Sequence, residues 1–151
     1  MLLFFILLIQ NKKVFVHNLR AYANLVPTPK VNPPLSSAYG STKLAILRFT
    51  EYINQDHGEG KDGMLAIAAH PGGVKTELAT NMPEVYHHYL VDTPELAGDT
   101  FVWLGSERRD WLSGRYVSAC WDMEELSERR EEILKSDLLK VRLAVNIFSS
   151  Q

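Results

Sequence analysis

The stretch "SSAYGSTKLAILRF" (residues 36–49) carries the reading of this 151-residue chain. Ser37 is placed to cap a helix running from about Ala38 to Asp56, because a serine oxygen can accept from the orphan N–H groups of a first turn. The apolar positions Leu44, Ile46, Leu47, Phe49 and Ile53 predict its buried side, with Arg48, Glu51 and Gln55 turned away. The glycine- and charge-rich "DHGEGKDG" (56–63) stops it. Tyr39 and Lys43 are four residues apart, so both project from one face. A free tyrosine titrates near pH ~10, too high for acid–base work at neutrality, and an ammonium one turn away stabilises the phenolate. The lysine's three N–H donors can also hold vicinal hydroxyls. Such spacing is common in helices, so the surrounding sequence has to supply its meaning.

Outward from that helix, apolar runs and helical patterns alternate. "KKVFVHNL" places a short strand at Val14–Val16, "MLAIAAHP" a buried strand closed by Pro71, and "SGRYVSACW" a third. Residues 22–34 contain four prolines and read as a loop. "DTPELAGDTFVWLGSE" offers Thr93 as N-cap and Pro94 as first helical residue. "MEELSERREEILKSD" reads as one charged surface helix, its glutamates spaced to pair with Arg129, Arg130 and Lys135. The alternation predicts an α/β layer around a parallel sheet, whose ligand crevice lies beyond the carboxyl ends of the strands. The proline-rich loop and "HPGGVKTE" both follow strands and belong on that rim.

Composition is that of an ordinary globular protein: 46% hydrophobic, 23% charged, net charge −2. Neither nucleic acid nor an anionic membrane is an expected partner. The single cysteine, Cys120, excludes an internal disulfide and reads as a small buried hydrophobe. The first ten residues, "MLLFFILLIQ", are nine-tenths apolar, too short to span a bilayer and without a basic region before them. They read as a buried helix or strand and are set apart from residues 11–151. His87 and His88, in "NMPEVYHHYLVDTPE", read as solvated loop residues, and no third ligand suggests a metal.

"SAYGSTKLAILRFTEYI", then "AAHPGGVKTEL", then "WLSGRYVSACWD" resemble, in order and spacing, the active-site helix, the proline–glycine motif and the last core strand of the short-chain dehydrogenase/reductase family. The resemblance covers roughly Asn11 to Leu143. It implies a Rossmann-like doubly wound parallel sheet and an NAD- or NADP-dependent exchange of hydride between a carbonyl and an alcohol. Tyr39 would be the proton donor or acceptor, and Lys43 would lower its pKa and bind the nicotinamide ribose. Pro71, Gly72, Gly73 and Val74 would shape the loop against the nicotinamide, with the Val74 backbone bonding the carboxamide. Thr76 would bond the carboxamide or pyrophosphate region, or cap the following helix. The segment 81–95 would be a substrate lid over a small carbonyl or alcohol compound.

The chain also departs from the family's pattern. No Gly-rich turn follows its first strand, and only 38 residues precede Tyr39, whereas each βαβ unit takes about 30 or more. Leu19 and Arg20 stand where the family's substrate-bonding serine is expected, and Ser36 and Ser37 lie too close to Tyr39 to replace it. The expectation is therefore the last three strands of the sheet with their helices, the adenosine-binding half missing, and a truncated form without activity of its own. "MLLFFILLIQ" would be the tail of the family's preceding helix or unrelated sequence. The expected strand order places Val14–Val16 beside Met64–Ala69, and that beside Arg115–Ser118. The outer edge would favour a homo-oligomer or aggregate, also through the active-site helix, in a cytoplasmic protein. The rival reading is a non-catalytic interaction remnant of the same fold.

Overall fold

The structure, a computed structural model, describes residues 3–10, 13–20, 37–80 and 84–143; of the two amino-terminal strands only the Ile9 side chain is described, and in the first turn of the long helix side chains are described from Gly40 on. The proline-rich segment 22–34 lies outside the described residues, as do the side chains of Tyr39, Leu19 and Arg20.

Two strands, β1 (Leu3–Gln10) and β2 (Lys13–Arg20), form an antiparallel hairpin from Leu3↔Arg20 to Gln10↔Lys13. β1 also pairs antiparallel with β3 (Leu65–His70), in the register Phe5↔Ala69 to Ile9↔Leu65. β4 (Tyr116–Ser118) joins β3 in parallel. The sheet order is β2-β1-β3-β4. This corrects the expected order: β1 stands between the Val14–Val16 strand and β3, and only β3 and β4 run parallel. The α/β class holds, with a mixed sheet. The apolar amino-terminal run is a strand and not a helix tail, which suits a continuous apolar segment hydrogen-bonded on both sides. β2 is left at the sheet edge, as expected of that strand.

Helices cover both faces. The long helix α1 (Ser37–His57) packs on β3 through Leu47 against Ala68, with Tyr116 and Val141 alongside. On the other face, Leu65, Ile67 and Ala69 join Leu104 of α3 (Pro94–Ser106), Trp111, Leu112, Leu126 of α4 (Met123–Glu128) and Ile133 of α5 (Arg130–Lys135). The alternation follows from the two-residue period of a strand. Between β3 and α3 lie the four-residue α2 (Glu77–Thr80) and a 3₁₀ turn at Glu84–Tyr89. Thr93 and Pro94 start α3 as expected. Asp122 Oδ1 accepts from the amides of Glu124 and Glu125 to start α4. The single charged helix expected over 123–137 is two, broken at Arg129; Leu126 and Ile133, seven residues apart, both reach the core. Arg129 then pairs with Glu132 at 2.9 Å.

The buried side of α1 matches the predicted one only in part: Leu47 is buried and Ile46 and Ile53 are half-buried, but Leu44 and Phe49 are not. Lys43, Leu47 and Thr50 are buried, while Leu44, Phe49 and Tyr52 are about half exposed. Asn54, three turns beyond Lys43, explains this. Its Nδ2 donates to the Ala66 carbonyl at 2.8 Å and its Oδ1 accepts from the Ala66 amide at 3.1 Å. This two-sided bond to a strand backbone fixes the rotation of α1 about its axis, and Lys43 is carried to the same side. Cys120 is exposed rather than buried, because β4 ends at Ser118 and the chain turns outward. Among the described residues, no helix is long and apolar enough to cross a membrane.

Candidate active site

α1 runs opposite to β3. Its last turns meet the start of that strand at Ala66, so its amino-terminal turns, with Tyr39 and Lys43, lie toward the strand's carboxyl end. β3 and β4 are parallel and pair His70 with Ser118, so both finish at that same rim. The first turns of α1, the loop after β3 and the end of β4 therefore share one rim. The direction of the Tyr39 hydroxyl falls outside the described residues.

Lys43 has no solvent-exposed surface. Burial pulls its ammonium down from 10.5 to about 7. Burial thus works against a fixed charge on this group. His70, at the end of β3, is close enough to feel it. Burial first, opposed by the Asp92 carboxylate and aided by the Lys43 charge, holds the His70 imidazole down at about 4. His70 is thus neutral at pH 7, and its Nδ1 accepts from the Gly72 amide at 3.1 Å, which leaves the proton on Nε2. Tyr116, on β4, is pushed well above the ordinary phenol range by burial and stacks edge-on with Trp121.

The loop that leaves β3 is tightly specified. Pro71, Gly72 and Gly73 are buried, and Val74 and Thr76 are partly so. Gly72 has φ +87°, a conformation that disfavours any side chain. Gly73 N donates to Asp92 Oδ2 at 2.6 Å. Thr76 Oγ1 accepts from the Ala79 amide at 3.2 Å, so Thr76 is the cap of α2. A hydroxyl used this way can still donate its own proton to a ligand. Two of the three residues that shape this rim besides the predicted set, Asp92 and Cys120, had no periodic signal. The third, His70, directly precedes the proline–glycine pair. His87 is partly buried and His88 exposed, and no group of metal-binding side chains occurs among the described residues.

Comparison with known proteins decides the family. The short chain dehydrogenase mpl6 of Monascus purpureus is 52% identical over 112 residues, which are 74% of this chain and 38% of that protein. The short chain dehydrogenase andI of Emericella variicolor is 39% identical over 139 residues, 92% of this chain and 46% of that protein. This chain belongs to the short-chain dehydrogenases. It spans less than half the length of these relatives. The short chain dehydrogenase pigC of Monascus ruber matches over a similar span, at 38% identity across 91% of this chain and 44% of its own. No family model and no solved structure matches the chain.

Proposed function

We propose that this chain carries the acid–base and nicotinamide-facing half of an NAD(P)-dependent oxidoreductase that interconverts a carbonyl and an alcohol. The observation that supports it most is Lys43: a wholly buried amine, one helical turn after Tyr39, at the strand rim that also holds the proline–glycine loop. Desolvation of a buried amine opposes folding, and groups perturbed in this way cluster at functional sites. The chemistry of the donors suits a nicotinamide riboside. Lys43 offers N–H groups to vicinal hydroxyls, and Val74 offers the next backbone amide after the two that His70 and Asp92 engage.

When bound, a reduced nicotinamide supplies hydride to the carbonyl carbon. Tyr39 gives its phenolic proton to the carbonyl oxygen as that bond forms, and in the reverse direction takes it from the alcohol. The phenolate that Tyr39 would leave and a proton on Lys43 would stabilise each other. Lys43, poised near neutrality, responds to that charge by holding its proton more tightly.

The 151-residue chain by itself is expected not to turn over. Its sequence has no Gly-rich βα turn for the pyrophosphate and no serine at the position expected to bond the substrate oxygen. Loss of one such donor costs about 10²–10³ in rate. The test is an assay with NADH and NADPH over ketones and aldehydes, beside a titration with nicotinamide mononucleotide, which needs no adenosine site. Millimolar binding of the mononucleotide, weakened by Lys43→Met, supports the reading. Absence of that binding in a folded chain refutes it. Turnover that vanishes in Tyr39→Phe would keep the chemistry and refute the inactivity.

The exposed Leu44, Phe49 and Tyr52 on α1, together with the β2 edge, favour a second property, self-association. Light scattering after size exclusion should give more than one chain per particle.

A further inference from the structure

After α2 and the 3₁₀ turn, the chain returns to the rim at Asp92 and meets the proline–glycine loop through both backbone and side chain. Gly73 N donates to Asp92 Oδ2 at 2.6 Å, Asp92 N donates to Gly73 O at 3.1 Å, and Val74 and Asp92 form a parallel bridge. One residue thereby holds both polar groups of Gly73. The side-chain bond joins a charged acceptor to an amide, the stronger class of hydrogen bond. The approach is close on both sides. A Cβ on Gly72 would lie 2.6 Å from Asp92 Oδ2, and one on Gly73 would run into the Tyr89 carbonyl oxygen. The two glycines are thus required by the returning segment, whatever the loop binds. Cys120, in the turn after β4, donates its thiol proton to the same Asp92 oxygen at 3.4 Å. Three rim segments converge on one carboxylate.

We propose that Asp92 is a positioning residue that locks the nicotinamide-facing loop Pro71–Thr76 to the returning segment Tyr89–Asp92, so that fixing one fixes the other. This rests on the nicotinamide reading above. The Val74 amide is held from two sides. The Asp92 seam fixes the residue before it, and the Thr76 amide donates to the Val74 carbonyl at 2.9 Å. Releasing the seam lets that amide swing away from its ligand.

The test uses the full chain, ¹⁵N-labelled, titrated with nicotinamide mononucleotide. In the unsubstituted protein the ligand should shift the Gly72–Thr76 amides and slow exchange of the Leu90 and Asp92 amides. Asp92→Ala should raise the dissociation constant about tenfold or more. Asp92→Asn keeps an oxygen acceptor and should stay within about threefold. A merely structural role would lower the folded fraction, and so the signal, without changing the dissociation constant of the molecules still folded. Equal affinity in Asp92→Ala and unsubstituted protein overturns the coupling alone. A folded, unsubstituted chain that shows no ligand-dependent shift overturns the nicotinamide reading and the coupling with it. Should Asp92→Ala not fold, the exchange measurement decides: ligand binding that leaves Leu90 and Asp92 exchange unchanged overturns the coupling.

Discussion

Replacing Lys43 with methionine should make the protein more stable and less able to bind a nicotinamide. The lysine is fully buried, and burial holds its amine at about 7 instead of 10.5. Between those two values the unfolded chain carries a proton that the folded chain has lost. Stability therefore rises with pH from about 7 to about 10.5, and the cost of the lysine is fully felt below about 7. The interval between 10.5 and about 7 corresponds to about 5 kcal/mol, at about 1.36 kcal/mol for each tenfold change in proton affinity. Replacing buried charges by apolar side chains of similar size has recovered about 1–4 kcal/mol. Methionine matches the stem of lysine in length and flexibility. Urea unfolding of the two proteins at about pH 6, 7.5 and 9.5 reads the difference directly from midpoints and slopes. The variant should lead by about 1–4 kcal/mol near pH 6, with the gap closing as pH rises toward 10. The His70 imidazole should titrate higher in the variant, because the charge that helps hold it down is gone. A variant less stable than the parent near pH 6, or a parent whose stability does not rise above pH 7, would refute the reasoning.

Asp122→Ala removes the acceptor for two amides of α4 and should cost about 1 kcal/mol in a urea midpoint. Arg115 is buried, donates to the carbonyls of Trp111 and Leu138, and pairs with Asp137 at 3.0 Å; Arg115→Met takes that donor from the carbonyls, while Asp137 keeps Lys140 and Arg142, and should cost about 1–3 kcal/mol by the same assay. Asp137 is held down at about 2, first by its bond to Lys140 and then, against some desolvation, by Arg142 and nearby charges. Because that folded value lies below the ordinary 3.8, its stabilisation is present above about pH 4 and is lost as pH falls toward 2; amide exchange over 137–142, corrected for intrinsic rates, should quicken in that window. Desolvation and the adjacent Asp92 charge raise the Cys120 thiol, so Asp92→Asn should speed its alkylation near pH ~8, where thiolate is limiting.

What was legible in the sequence had a local cause. The ends of α1 followed from Ser37 and the glycines after His57, and the start of α3 from Thr93–Pro94. The parallel pair of β3 and β4 followed from two short apolar runs flanking a helix. The sheet order was not legible, because β1 reaches β3 by a long-range pairing that no local pattern encodes, and a continuous apolar run of eight or nine residues suits helix or strand alike. Cys120 was misplaced because the end of β4, not the type of residue, sets its exposure. Asp92 left no trace, because its role depends on the chain returning to a loop 19 residues earlier.

The misread positions on α1 carry more weight than these. Pattern alone would bury Leu44 and Phe49; the fold buries Lys43 and leaves them outside. Departures from pattern of this kind are expected where function overrides folding. Their position separates the two sorts found here. Arg109 and Arg115 are also buried cations; each meets a carboxylate, Glu107 at 2.9 Å and Asp137 at 3.0 Å, and bonds backbone carbonyls. Those are closed structural arrangements far along the chain from the rim loop. Lys43, whose amine is drawn toward neutrality by burial, His70, kept neutral, and Gly72, held at positive φ, all lie at one end of the sheet. The buried amine and imidazole each bear a desolvation cost, and the φ of Gly72 admits no side chain without strain. Their concentration at the carboxyl ends of β3 and β4 puts them where an α/β sheet places its ligand crevice.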